Sequence, residues 1–184
     1  MVGSGPSAAS APLELARGRA RVVAVNESWR LAPWADVLFA MDGVWWVDNG
    51  GLPQFAGRRV TSSPHAMKTF GLDYFVSNGA TSGLRAIYIA EKLQANPILL
   101  VGFEMHPRGG VHWHPPHCIR IGLRNPGKNE MAIWRQDIER VADKFKARGT
   151  LIINCTPDSA LTCFPQMPFE RALDACHNPA AAAH

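Results

Sequence analysis

Cysteine is scarce in this chain and tyrosine scarcer: four of one and two of the other in 184 residues. The cysteines stand at 118, 155, 163 and 176 and form no C-x-x-C pair. That spacing excludes a disulfide framework and predicts free thiols in a reducing, cytoplasmic setting. No basic segment followed by an apolar run marks a secretory signal, and no apolar run approaches bilayer length. Charge is also sparse, at 18% of residues with a formal net charge of +4. A mildly basic balance of this size suits an anionic ligand such as a nucleotide and is too weak to argue for specific nucleic-acid binding. The short basic clusters Arg17-Arg19-Arg21 and Arg58-Arg59 read as solvated surface. There is no internal repeat and no composition break. One domain is expected over 1–177, with the alanine-rich 178–184 as a frayed tail.

What is present is a set of compact apolar runs. Arg21–Asn26, Asp36–Asp42, Pro97–Gly102 and Thr150–Asn154 each read as a buried parallel strand. Helices are predicted between and around them. Ser7–Arg17 reads as a short helix. Ser82–Gln94 is rich in Leu, Ile and Ala, with Ser82 as its cap. Glu130–Arg148 carries Met131, Trp134, Ile138, Val141 and Phe145 on one stripe and stops at Gly149. Strands alternating with such helices indicate βαβ units in a single Rossmann-like, doubly wound α/β domain, its sheet mainly parallel with helices on both faces. Residues 43–70 and 103–129 read as irregular and rich in Gly, Pro, His and Trp.

Ligands of an open parallel sheet bind beyond the carboxyl ends of its strands. Here those ends carry Asn26, Asp42, Glu104 and Asn154. The loop Gly3-Ser4-Gly5-Pro6-Ser7 lies at the same edge and can present backbone N–H groups to a phosphate; a plain strand-to-helix turn uses the same letters. Asn26 and Asp42 can bind a ribose or a base edge, or cap the following helix. Thr81-Ser82-Gly83 opens a helix and can bind an anion or simply cap it. Trp45-Trp46 can stack on a base or cover the edge of the core.

The segment His112-Trp-His-Pro-Pro-His117-Cys118 is the most unusual. Three imidazoles and a thiol suit zinc. One histidine can instead serve as a general base, or the loop can pack Trp113 over the site. Pro115 and Pro116 hold the stretch extended, which predicts side chains that diverge and therefore no zinc. One histidine is expected to turn toward Asp42 or Glu104, whose carboxylate would raise its pKa.

The order of the pieces, G-S-G-P-S, V-V-A-V-N-E-S, A-D-V-L-F-A-M-D, T-S-G-L-R-A-I, I-L-L-V-G-F-E, H-W-H and I-I-N-C-T-P-D-S-A-L, resembles a family of small phage and prophage proteins from about Gly3 to Phe164. More distantly it resembles Rossmann-like bacterial sialyltransferases, flagellin-glycosylation accessory proteins and 6-hydroxymethylpterin pyrophosphokinases. The resemblance implies a nucleotide or nucleotide sugar held across Gly3–Ser7, Asn26 and Ser82-Gly83, with a histidine among His112, His114 and His117 as general base. The pyrophosphokinase likeness implies magnesium on Asp42 and Glu104. The accessory-protein likeness implies a vestigial pocket and a phage or host protein partner. Those groups carry a full strand before the glycine loop; here only Met1 and Val2 stand there, so a truncated first strand is expected, with the edges of its neighbours exposed.

Overall fold

In the computed structural model, which describes residues 1–117, 123 and 125–177, six strands and five α-helices alternate along the chain. β1 (Val23–Val25), β2 (Val37–Ala40), β3 (Arg58–Thr61) and β4 (Asp73–Tyr74) form one parallel sheet in that order. β5 (Ile98–Leu100) and β6 (Ile152–Asn154) form a parallel pair. Val2 lies between the two groups, bridged to Ala24 on one side and Val101 on the other, both parallel. Val2 is thus a single bridging residue that joins both halves. Beyond it, toward the amino ends of β1 and β5, the slot opens into a cavity of about 860 Å³ lined by Met1, Val22, Val23, Ile98 and Leu99.

Alternate residues of the strands face opposite layers, as the pleat requires. Ala24, Leu38, Ala40, Leu99, Val101 and Ile153 pack with Leu13, Trp45, Trp46, Phe169 and Leu173. Ile98, Leu100 and Ile152 pack with Leu84, Ile87, Ile138 and Phe145; Val23, Val25, Val37 and Phe39 pack with Ala86 and Ile89. One layer therefore holds α1 (Gly43–Asp48) and α5 (Phe169–His177), and the other holds α3 (Ser82–Lys92) and α4 (Lys128–Ala147). This is the expected Rossmann-like α/β arrangement with helices on both faces. The four apolar runs of the sequence all form strands, though as two adjacent pairs separated by Val2.

Four local expectations are corrected. Ser7–Arg17 is two 3-10 helices, Pro6–Ser10 and Leu13–Ala16, because Pro12 interrupts the backbone between them. The cap of α3 is Thr81, whose Oγ1 accepts from the Leu84 N–H at 3.1 Å. The segment 43–70 is regular: it holds α1, β3 and α2 (Pro64–Phe70), the last capped by Ser63, opened by Pro64 and closed by Gly71 at φ 62°. β4 and α5 were also absent from the sequence reading. β4 ends the sheet with two exposed residues, and its Asp73 pairs with Arg58 of β3, which blunts the edge.

Candidate functional site

The strand-to-helix loops converge on a cleft of about 410 Å³ at the carboxyl edge of the sheet. Gly3, Ser4, Gly5, Asn26, Asp42, Ser82, Gly83 and Glu104 line it, together with His112 and His117. Pro6, Ser7 and His114 do not line it. Its volume lies within the range of small-molecule sites. Asn154, another polar strand end, is turned into the fold. It is 1% exposed, its Nδ2 donates to the Leu161 carbonyl, and its Oδ1 accepts from the Thr156 N–H.

The glycines at positions 3 and 5 exist for close packing against the loop after β5. A Cβ on Gly5 would stand 1.6 Å from Glu104 Oε2 and 2.8 Å from the Gly102 carbonyl oxygen. Glu104 is buried, and its Oε1 accepts from the Ser7 N–H at 2.6 Å. The protein's own carboxylate therefore takes the anion position at the start of the Pro6–Ser10 turn. The expectation that Ser7 holds a ligand phosphate is corrected accordingly: its N–H is already engaged, and a second anion there would meet like charge. The other oxygen, Glu104 Oε2, is buried without a hydrogen-bond partner.

Two non-glycine backbones lining the cleft are left-handed: Asn26 at φ 50°, just past β1, and Met105 at φ 56°, next to Glu104. Asparagine tolerates this conformation and methionine does so rarely, so Met105 marks local strain beside the cleft. Asp42 stands at the N-cap position of α1 but makes no capping hydrogen bond. Its carboxyl is raised above the usual carboxylate pKa by desolvation, with Arg85 and His117 drawing it back down. At the start of α3, the side chain of Thr81 supplies the cap for the Leu84 N–H. Trp45 and Trp46 are 1% and 0% exposed; their Nε1 groups donate to Glu27 Oε1 and the Ala40 carbonyl. They belong to the core.

The histidine loop is docked on the glycine loop. The Trp113 N–H donates to the Ser4 carbonyl at 3.0 Å, and Trp113 Nε1 donates to Ser28 Oγ at 3.2 Å. Ser28 Oγ in turn donates to the Gly3 carbonyl at 2.7 Å. The prolines do not splay the three imidazoles. His112 and His114 stack with centroids 4.8 Å apart, and His117 lies 4.8 Å from His114 and 5.4 Å from His112. The predicted divergence is overturned: a turn after His114, whose Nδ1 bonds the Pro115 carbonyl, brings His117 back, and Asn125 clamps the His117 backbone on both its N–H and its carbonyl. The predicted upward pKa shift is also reversed. Burial, then the neighbouring His114 and His117, push His112 down to about 4. Burial and His114 lower His117 despite Glu27, Asp42 and Asp48. Among the described residues, these three histidines are the one group of three or more His, Cys, Asp or Glu side chains placed closely enough to share an ion. Asp42 and Glu104 share the cleft, and among the described residues they belong to no such group; Cys118 lies outside the described residues.

Sequence reasoning missed Ser28 and the placing of the α4 residues Met131 and Trp134 in the lining of the cleft. Ser28 sits two residues beyond Asn26 in N-E-S-W, next to a residue already singled out. Cys155, Cys163 and Cys176 are unpaired, and burial pushes Cys155 up to about 11, which makes it an unreactive thiol. No helix among the described residues is long and apolar enough to cross a membrane. Comparison with family models, with curated proteins and with solved structures finds no match.

Proposed function

We propose that this chain binds a nucleotide or nucleotide sugar in the carboxyl-edge cleft, in the manner of a glycosyltransferase of the sialyltransferase type. One observation carries the reading. Eight of the ten binding residues expected from the sequence, drawn from five separate segments, line a single cleft of small-molecule size. The free backbone N–H groups at the start of α3, at Ser82 and Gly83, are the better phosphate site, because Glu104 already occupies the Ser7 N–H. Glu104 Oε2, an unpartnered acceptor in the cleft, suits a ribose or sugar hydroxyl. Asn26 and Asp42, which also line the cleft, are left for the nucleoside. A second reading, a phage-type accessory protein with a vestigial pocket, is favoured by the same carboxylate, since it removes one anion socket from the loop.

A thermal-shift screen with CMP, UDP, GDP, ATP and their sugar conjugates tests both. Stabilisation by a CMP or UDP species is expected, and it should disappear in Asn26→Gly. Glycine is the right replacement because it keeps the left-handed backbone at φ 50° while removing the side chain. No response to any nucleotide would overturn the binding reading and leave the accessory role.

A further inference from the structure

We propose that His112, His114 and His117 form a binding site for one divalent transition cation of the zinc class, with a coordination position open to the cleft. Their candidate donor atoms all lie within 4.8 Å of one another. A tetrahedral zinc ion with ~2.0–2.1 Å nitrogen bonds places its donors roughly 3.3 Å apart, so binding draws the donors inward and turns the stacked His112 and His114 rings, now 11° from parallel, until their lone pairs converge.

The hydrogen bonding of the rings suits a metal site. His114 Nδ1 is tied to the Pro115 carbonyl at 2.8 Å, which leaves Nε2 with its lone pair; that Nε2 is buried and has no hydrogen-bond partner. His112 Nδ1 is likewise buried and unpartnered. A ligating imidazole ordinarily gives its second N–H to a carbonyl and so fixes which nitrogen faces the metal. His114 does that, and the unpartnered nitrogens of His112 and His114 belong to rings that face each other. Ring stacking alone would leave both nitrogens buried without a partner, which folded proteins rarely tolerate.

The scaffold around the cluster is built to hold it. Trp113 anchors the segment to Ser4 and Ser28, and Asn125 clamps the His117 backbone from both sides. Three neutral nitrogen donors select zinc, cobalt, nickel or copper over magnesium, which takes oxygen ligands. His112 and His117 line the cleft that Gly3–Gly5 and Asp42 also line, so the fourth ligand is a water or an anionic oxygen from that cleft. There the cation would act as a Lewis acid on the bound oxygen. The site stands on its own donors and does not depend on the nucleotide reading.

The experiment uses the full chain carrying no affinity histidines, stripped with a chelator and titrated with Zn2+ and with Co2+ alone. One equivalent of tightly held zinc is expected, with an upward shift in thermal midpoint. Co2+ should give the visible bands of a low-coordinate nitrogen site. His114→Ala and His117→Ala should each weaken zinc binding at least tenfold and abolish the cobalt spectrum, while His65→Ala and His106→Ala, outside the cluster, keep both. Metal-free thermal midpoints of the variants are compared with the parent; where an alanine variant does not fold, the glutamine variant at that position replaces it. Absence of zinc uptake at micromolar concentrations overturns the site, as does zinc binding that survives both cluster variants. A protein that binds zinc and no nucleotide would overturn the nucleotide reading alone.

Discussion

At the scale of single residues, the G-S-G-P loop shows how one set of letters serves two physical ends. Glycines before a helix ordinarily bring backbone N–H groups close to a phosphate. Here Gly5 instead makes room for Glu104, and the Ser7 N–H is spent on that carboxylate. Gly5→Ala would drive a methyl group into Glu104 Oε2 and against the Gly102 carbonyl oxygen. The carboxylate must then leave the Ser7 N–H, and a lost charge-assisted hydrogen bond in a buried place costs about 2 kcal/mol. Urea unfolding of Gly5→Ala should show a loss of that size, and a midpoint equal to the parent's would mean that Glu104 moves aside freely. The loop was visible in the sequence and its ligand was not, because the partner of Ser7 lies 97 residues downstream. The histidines failed for a different reason. Two prolines were read as a rigid extended stretch, whereas Pro115 supplies the carbonyl that orients His114 and the chain turns after it.

At the scale of elements, legibility followed length and period. The long stripe of α4 and the helix of α3 were readable because eleven or more residues repeat an apolar spacing. α1 and α2, of six and seven residues, are too short for a period to emerge from G-V-W-W-V-D or P-H-A-M-K-T-F. Capping chemistry would have found α2, since Ser63-Pro64 and Gly71 bracket it. The same chemistry separates Thr81 from Ser82 at the start of α3. Thr81 lies outside the helix in extended conformation and holds the Leu84 N–H, so it is the cap, and Ser82 is the first helical residue. Thr81→Ala should therefore destabilise the protein by about 1 kcal/mol. Ser82→Ala should change stability by much less while weakening any anion bound at this helix start. Equal destabilisation by both substitutions, read from urea midpoints, would assign the cap to neither alone.

At the scale of the molecule, the site depends on a strand that is barely present. The Val2 N–H donates to the Val23 carbonyl and the Val2 carbonyl accepts from the Val25 N–H; the Gly3 N–H donates to the Val101 carbonyl and the Met1 carbonyl accepts from the Val101 N–H. These few bonds tie the β1–β4 sheet to the β5–β6 pair, and the cleft draws Asn26 from one half and Glu104 from the other. In the chain that begins at Met1, the stub carries a buried ammonium donating to the Leu99 carbonyl at 2.7 Å. Burial lowers its pKa to about 6 from the ordinary 8.0, against a lesser upward influence of Cys155. The folded state therefore resists a proton that the unfolded chain accepts. Between pH 8 and pH 6 the unfolded chain binds more protons, so stability is highest above that window and falls as pH is lowered through it, by up to about 3 kcal/mol. The lowered pKa values of His112 and His117 act in the same direction, so the amine's share has to be isolated. N-terminal acetylation does so: it removes the titrating amine, keeps one N–H for Leu99, and places the added group toward the open cavity beside Met1. Urea unfolding at pH 5.5, 7 and 8.5 should show the unmodified chain losing more stability on acidification than the acetylated one. Parallel curves for the two would show that the ammonium reaches water, and that the halves of the sheet are joined more loosely than the Val2 bridges indicate.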